Sequence, residues 1–115
     1  MSLFPSLPEP KLLKRLAHPM KKIRLVLDTD TYNEIDDQFA VIYAANSPDD
    51  LQIEAFYAAP FFNELSSSPQ DGMEKSYNEL HKIQALLGSD IPVYRVRILI
   101  CQDRTRLSSV RRPSI

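Results

Sequence analysis

The stretch Leu25-Val-Leu-Asp-Thr-Asp-Thr-Tyr-Asn-Glu-Ile-Asp-Asp-Gln-Phe-Ala40 changes character half-way along. Its first part continues the apolar run Ile23 to Leu27, rich in branched residues and read as a buried strand. Its second part places Ile35, Phe39, Ile42 and Tyr43 at helical spacing, which predicts an amphipathic helix with those four on its buried face. Asn33 is the expected N-cap, and Glu34, Asp36 and Asp37 fill the first turn, where free N–H groups favour negative charge. Pro48 ends the helix. A strand running directly into a helix is the opening unit of a parallel α/β sheet.

The rest of the chain repeats this alternation. Leu51 to Ala59 reads as a second strand, and Pro60 to Gln70 as a loop with Ser66-Ser67-Ser68-Pro69 at its tip. Asp71 is the expected cap of a second helix, with Glu74 at the reciprocal position. Met73, Tyr77, Leu80, Ile83 and Leu87 form its apolar stripe, and Gly88 fits its C-terminal cap. Ile91 to Tyr94 reads as a third short strand. The order β-α-β-α-β predicts a Rossmann-like parallel sheet with right-handed crossovers.

This core occupies about residues 23–95. Residues 1–22 read as an irregular arm broken by Pro5, Pro8, Pro10 and Pro19, within which Lys11 to Ala17 has room for two helical turns. Residues 96–115 differ in kind. The chain as a whole carries a net charge of −1, but residues 1–94 hold eight Lys/Arg against fourteen Asp/Glu, and residues 95–115 hold six Arg against one Asp. All the basic residues from 95 onward are Arg, whereas six of the eight before it are Lys. Val96 to Cys101 could add a strand; the remainder has no apolar face. A frameshifted or alternatively spliced end would have this composition.

At 115 residues, 43% apolar and 25% charged, the chain is sized for one small domain with a modest core. No run approaches the roughly 18 apolar residues of a membrane span, and no cationic start followed by a long apolar stretch marks a secretory leader. The lone Cys101 excludes an internal disulfide and a cysteine-built zinc site, which fits a reducing, cytoplasmic setting. These features predict no membrane partner. The arginine-rich tail lacks the interleaved aromatics of a single-strand binder, so no nucleic-acid partner is expected either. His18 reads as a solvated loop residue and His81 as lying on a solvated helix face.

The chemistry is concentrated in Asp28, Asp30, Asp36 and Asp37, four carboxylates within ten residues at the junction of strand and helix. Residues two apart on a strand share a side, so Asp28 and Asp30 are expected to project together at its end. Carboxylates crowded this closely repel unless a positive group lies between them, and a hard divalent cation with oxygen ligands is the usual one. The carboxyl end of a strand in an open α/β sheet is also where ligands bind. The ordinary alternative for Asp36 and Asp37 is helix capping alone. Asp28-Thr29-Asp30 after an apolar strand also fits the opening of haloacid-dehalogenase-type phosphatases. That pattern wants Thr or Val where Tyr32 stands, and it leaves Asp36 and Asp37 without a task.

Asp28-Thr29-Asp30, a short turn, Asp36-Asp37 and the helix that follows resemble the N-terminal signature of the inosine–uridine-preferring nucleoside hydrolases. The usual turn there is Pro-Gly-x; here Thr31 to Ile35 is two residues longer and has neither Pro nor Gly. The resemblance extends through the second strand to Phe61-Phe62-Asn63 and covers about residues 23–95. It implies hydrolysis of the N-glycosidic bond of a ribonucleoside with a Ca²⁺-activated water. In that scheme Asp30 is the catalytic base and a metal ligand, Asp37 the chelating metal ligand, and Asp36 and Asn63 ribose contacts. Asp28 is a supporting group, and Phe61 and Phe62 either wall the ribose or plug the core. Members of that family are roughly three hundred residues long, a single larger α/β domain. The resemblance therefore implies a sheet that is incomplete relative to the full fold. It also implies a truncated chain that is inactive alone, the other reading being a non-catalytic interaction protein.

Overall fold

The computed structural model describes residues 6–96. The expected α/β order is present, preceded by one short helix. Helix α1 spans Glu9–Leu16, strand β1 Ile23–Thr29, helix α2 Ile35–Ala45, strand β2 Leu51–Ala58, helix α3 Pro69–Leu87 and strand β3 Val93–Arg95. The three strands form one parallel sheet in the order β1-β2-β3. Two crossovers that advance in the same direction, each right-handed, place α2 and α3 on the same face of the sheet.

That face holds the core. Phe56 and Ala58 of β2 are buried with Val41 of α2 and Met73, Leu80 and Ile83 of α3. Leu27 and Val93 pack against them, both paired in register with Phe56. Because side chains alternate along a strand, the opposite face carries Val26, Asp28, Ala55, Tyr57 and Tyr94. Val26 and Tyr94 are about half exposed there, and Tyr57 lies against Tyr94 at 5.6 Å between ring centroids. Parallel sheets are usually covered on both faces; among the described residues this one is covered on one.

Several boundaries differ from the sequence reading, each for a local reason. Strand β1 runs two residues further than Leu27, because its last residues pair with Tyr57 and Ala58 of β2. Helix α3 begins at Pro69, so Pro69 and Gln70 belong to it and not to the loop. Its cap is Ser68, whose hydroxyl accepts the Asp71 N–H at 3.0 Å, while the Asp71 carboxylate accepts from the Ser67 N–H at 2.9 Å. Asp71 thus stands three residues after the cap and reaches back to the residue before it; it is not itself the cap. Gly88 closes the helix at φ 65° as expected, a conformation that glycine adopts without cost. The N-cap of α2 is Glu34, which makes no side-chain capping bond; Asn33 turns its amide elsewhere. Helix α1 starts two residues before Lys11 and ends at Leu16. Residues 97–115, including Cys101 and the rest of the strand expected from Val96, lie outside the described residues.

The larger correction concerns which face α2 buries. Ile35, Phe39 and Tyr43 are 70%, 64% and 77% exposed, whereas Val41 is fully buried and Ile42 packs beside it. Periodicity alone located an apolar stripe but not the side the sheet would take. Among the described residues nothing covers it.

Helix α3 is pinned to β3 by Arg95. Its guanidinium pairs with Glu74 through two bonds, 2.8 and 3.0 Å, and lies 3.6 Å from the centroid of the Tyr77 ring. One turn nearer the start of α3, Gly72 is buried against the backbone of Phe61, where a Cβ would overlap the Phe61 carbonyl. This close approach seats the loop after β2 on the helix. Gly72→Ala should therefore lower stability by about 1–3 kcal/mol, the usual cost of overpacking, read from the midpoint of chemical unfolding. A neutral effect would show that the loop moves away freely.

Candidate functional site

Strands β1 and β2 end level with each other, Thr29 paired to Ala58, and the Ala59 N–H closes onto the Thr29 carbonyl at 2.9 Å. Past this edge the chain delivers three segments to one place: the turn 30–34, the first turn of α2, and the loop 59–68. The site lies at their meeting point, at the carboxyl ends of the strands.

Thr29 faces the helix layer, since it is two residues on from Leu27. Its hydroxyl donates to the Asp37 carboxylate at 2.9 Å. Having spent its only hydrogen there, it accepts from the hydroxyl of Thr31 at 2.8 Å. Thr29 and Thr31 are both buried. Asp37 is half-buried in the first turn of α2. Burial pushes its carboxyl above the ordinary carboxylate range; the negative charges of Asp30 and Asp36 and a hydrogen bond with Asp30 push it the same way, against the Thr29 hydroxyl. Asp30 thus lies beside Asp37, where its like charge opposes the ionisation of Asp37.

The Asp30 carboxylate also accepts from the Asn33 side-chain amide at 2.8 Å, and the Asn33 N–H donates back to the Asp30 carbonyl at 3.0 Å. The Asn33 side-chain oxygen in turn accepts from Asn63, so a continuous chain of bonds runs from Asp30 through Asn33 to Asn63. The Asn63 oxygen accepts from the Leu65 N–H at 2.9 Å, and among the described residues the second hydrogen of its amide has no partner. The loop beneath is held by the Ser66 hydroxyl on the Phe61 carbonyl and by Lys75 on the Leu65 carbonyl. Phe61 is buried and Phe62 is 68% exposed beside Asn63, so the two phenylalanines divide the alternatives between them: one fills the core, the other stands at the rim.

Asp30, Asp36, Asp37 and Asn63 are therefore brought into one neighbourhood, with Asp36 exposed at its edge. Asp28 is not brought into it. It sits on the open side of the sheet, opposite the side Thr29 takes, and the expectation that Asp28 and Asp30 share a side fails because the strand ends before Asp30. Thr29, Thr31 and Asn33 are the polar partners the sequence reading passed over. Thr29 was legible in principle, because continuing the alternation from Leu27 puts it on the core side.

Tyr32 takes φ 102°, a region glycine enters freely and other residues enter at a cost of about 1–3 kcal/mol. Its ring stacks on Phe61 with centroids 6.4 Å apart. The strained turn folds Asn33 back over Asp30.

Among the described residues no group of three or more His, Cys, Asp or Glu is arranged to hold a metal ion. The donor chemistry suits a hard cation, since two adjacent carboxylates whose repulsion a positive charge would relieve are oxygen ligands of the right kind. The donor number does not fill a shell of six to eight oxygens. Comparison with protein-family models, curated proteins and solved structures finds no match for this chain.

The raised Asp37 carboxyl has a thermodynamic consequence. Between its ordinary pKa of about 3.9 and its higher folded value, the folded chain holds more protons than the unfolded one, so stability falls as pH rises through that window. Asp37→Asn keeps an oxygen for Thr29 and removes the charge. It should raise the melting temperature by roughly 2–5 °C at neutral pH, with the gain fading as the pH drops below the carboxylate range. A destabilising effect at neutral pH would show that the Asp37 charge is compensated.

Proposed function

We propose that residues 23–95 form the N-terminal part of a Ca²⁺-dependent nucleoside-hydrolase-type site, acting on the ribose of a ribonucleoside. The observation that carries this reading is the pairing of Asp30 from the end of β1 with Asp37 from the start of α2, bridged by Asn33 to Asn63. A nucleoside hydrolase needs these same roles in these positions. The positive φ at Tyr32, in the turn where that family uses glycine, supports the same assignment. The phosphatase alternative needs Asp28 beside Asp30, and Asp28 lies on the other side of the sheet.

In this reading Asp30 and Asp37 would hold the cation. When bound, Ca²⁺ supplies a water of lowered pKa and a centre for the ribose diol. Asp30 is placed to receive the proton of the attacking water. Asp36, exposed at the rim, accepts from a ribose hydroxyl, and the second amide hydrogen of Asn63 donates to another. The carboxylates also stabilise the positive charge that develops on the sugar as the glycosidic bond lengthens.

The two-carboxylate donor set favours a second, narrower reading: a module that binds cation and diol weakly without turnover. The two are separated by titrating the 115-residue chain with Ca²⁺ and then ribonucleoside, followed by amide NMR. Shifts should cluster at residues 29–37 and 61–66, with a Ca²⁺ affinity in about the millimolar range of underliganded oxygen sites, and Asp37→Asn should erase them. No ribose should be released from inosine or uridine by this chain. Shifts scattered over surface carboxylates would overturn the site; ribose release lost on Asp30→Ala would overturn the narrower reading.

A further inference from the structure

The described residues are sharply divided in charge. From residue 10 to residue 27 there are six cations, Lys11, Lys14, Arg15, Lys21, Lys22 and Arg24, and no acid. From residue 28 to residue 94 there are thirteen Asp/Glu and two Lys. The basic segment contains all of α1 except its first residue, Glu9, which lies on the leucine side; the helix buries none of its eight residues, and Leu12, Leu13 and Leu16 are 42%, 61% and 72% exposed. These leucines share one side of the helix, and Lys11, Lys14 and Arg15 flank them. The acidic body carries its own uncovered apolar row, Ile35, Phe39 and Tyr43 on α2, four residues apart and therefore on one side. Exposed Glu34 and Asp36 stand at one end of that row, and exposed Asp49 and Asp50 just past the other.

We propose that α1 of one copy docks on the Ile35–Phe39–Tyr43 row of a second copy, and reciprocally, to form a two-fold dimer. The two surfaces match in two respects. Both are exposed apolar rows. Lys11, Lys14 and Arg15 beside the leucines are opposite in sign to the acids at the two ends of the α2 row, Glu9 being the one acid of α1. The leucine row spans about 6 Å from Leu12 to Leu16 and so covers about half of the roughly 12 Å from Ile35 to Tyr43. One such contact is small beside the roughly 1,200–2,000 Å² of a stable interface, but the two-fold arrangement makes it twice. The full chain carries a net charge of only −1, so two copies meet without overall repulsion. An anionic lipid surface is the other obvious occupant for a basic amphipathic helix. It would hold the strongly acidic body within a Debye length of like charge, and it would leave the α2 row uncovered. Asp36 stands at the edge of both surfaces, but the docking rests on none of the chemistry proposed for the carboxylate site.

Sedimentation velocity of the whole chain tests it. Wild type should shift from monomer to dimer with concentration, and the dimer should weaken in high salt. Phe39→Asp and Leu13→Asp should each be monomeric where wild type is more than half dimer. Both side chains are exposed, so far-UV circular dichroism should be unchanged. Tyr43→Asp and Leu16→Asp, more exposed still, replace them if either variant fails to fold. The deciding step is to mix the two variants: the intact α1 of one and the intact α2 of the other restore one contact, and the mixture should associate more weakly than wild type but more strongly than either variant alone. A mixture that associates no more than its separate components would overturn the pairing. A wild type that is monomeric throughout would overturn the dimer, and if it also floated with phosphatidylserine vesicles the lipid surface would take its place.

Discussion

Strand β2 is hydrogen-bonded on both edges, and the rest of the fold is hung on it. Its residues Phe56 and Ala58 form the floor on which both helices rest, and Phe56 is in register with Leu27 on one side and Val93 on the other. Parallel pairing forces each crossover to traverse the full height of the sheet, and so each helix starts at the carboxyl end of the strand before it. The site is a consequence of that geometry. Thr29 and Ala58 end their strands at the same level, so the turn after one and the loop after the other must meet.

The carboxylate pair departs from what stability alone would select. Asp37 lies half-buried beside Asp30, its carboxyl pushed up by burial and by like charge. The neighbouring Tyr32 holds a backbone conformation that costs free energy. Unfavourable local choices concentrated at one strand end, with a polar network around them, are the pattern expected at functional sites. Among the described residues no buried side-chain nitrogen or oxygen lacks a partner.

The uncovered surfaces have the same origin as the site. Among the described residues, a parallel sheet covered on one face, a helix with its apolar row turned outward and a leucine helix that buries nothing are surfaces in search of a partner. Their charges are segregated by sequence position, six cations and no acid from residue 10 to residue 27 and mostly acids from residue 28 to residue 94. Assembly between copies uses that segregation directly.

Local patterning was enough to read the alternation of strands and helices, the Gly88 cap and the crowding of four aspartates, because periodicity, turn chemistry and charge spacing are properties of neighbouring residues. It was not enough to choose sides. Ile35, Phe39 and Tyr43 recur at helical spacing as a buried face would, yet Val41 is the residue that meets the sheet. Asp28 and Asp30 are two apart, yet the strand ends between them and only Asp30 reaches Asp37. Asn33 has the composition of a cap, yet its amide bridges Asp30 to Asn63, thirty residues away. Each of these depends on where β2 and its loop lie relative to β1. That relation is set by long-range strand pairing and by the close approach of Gly72 to Phe61, and no window of adjacent residues contains it.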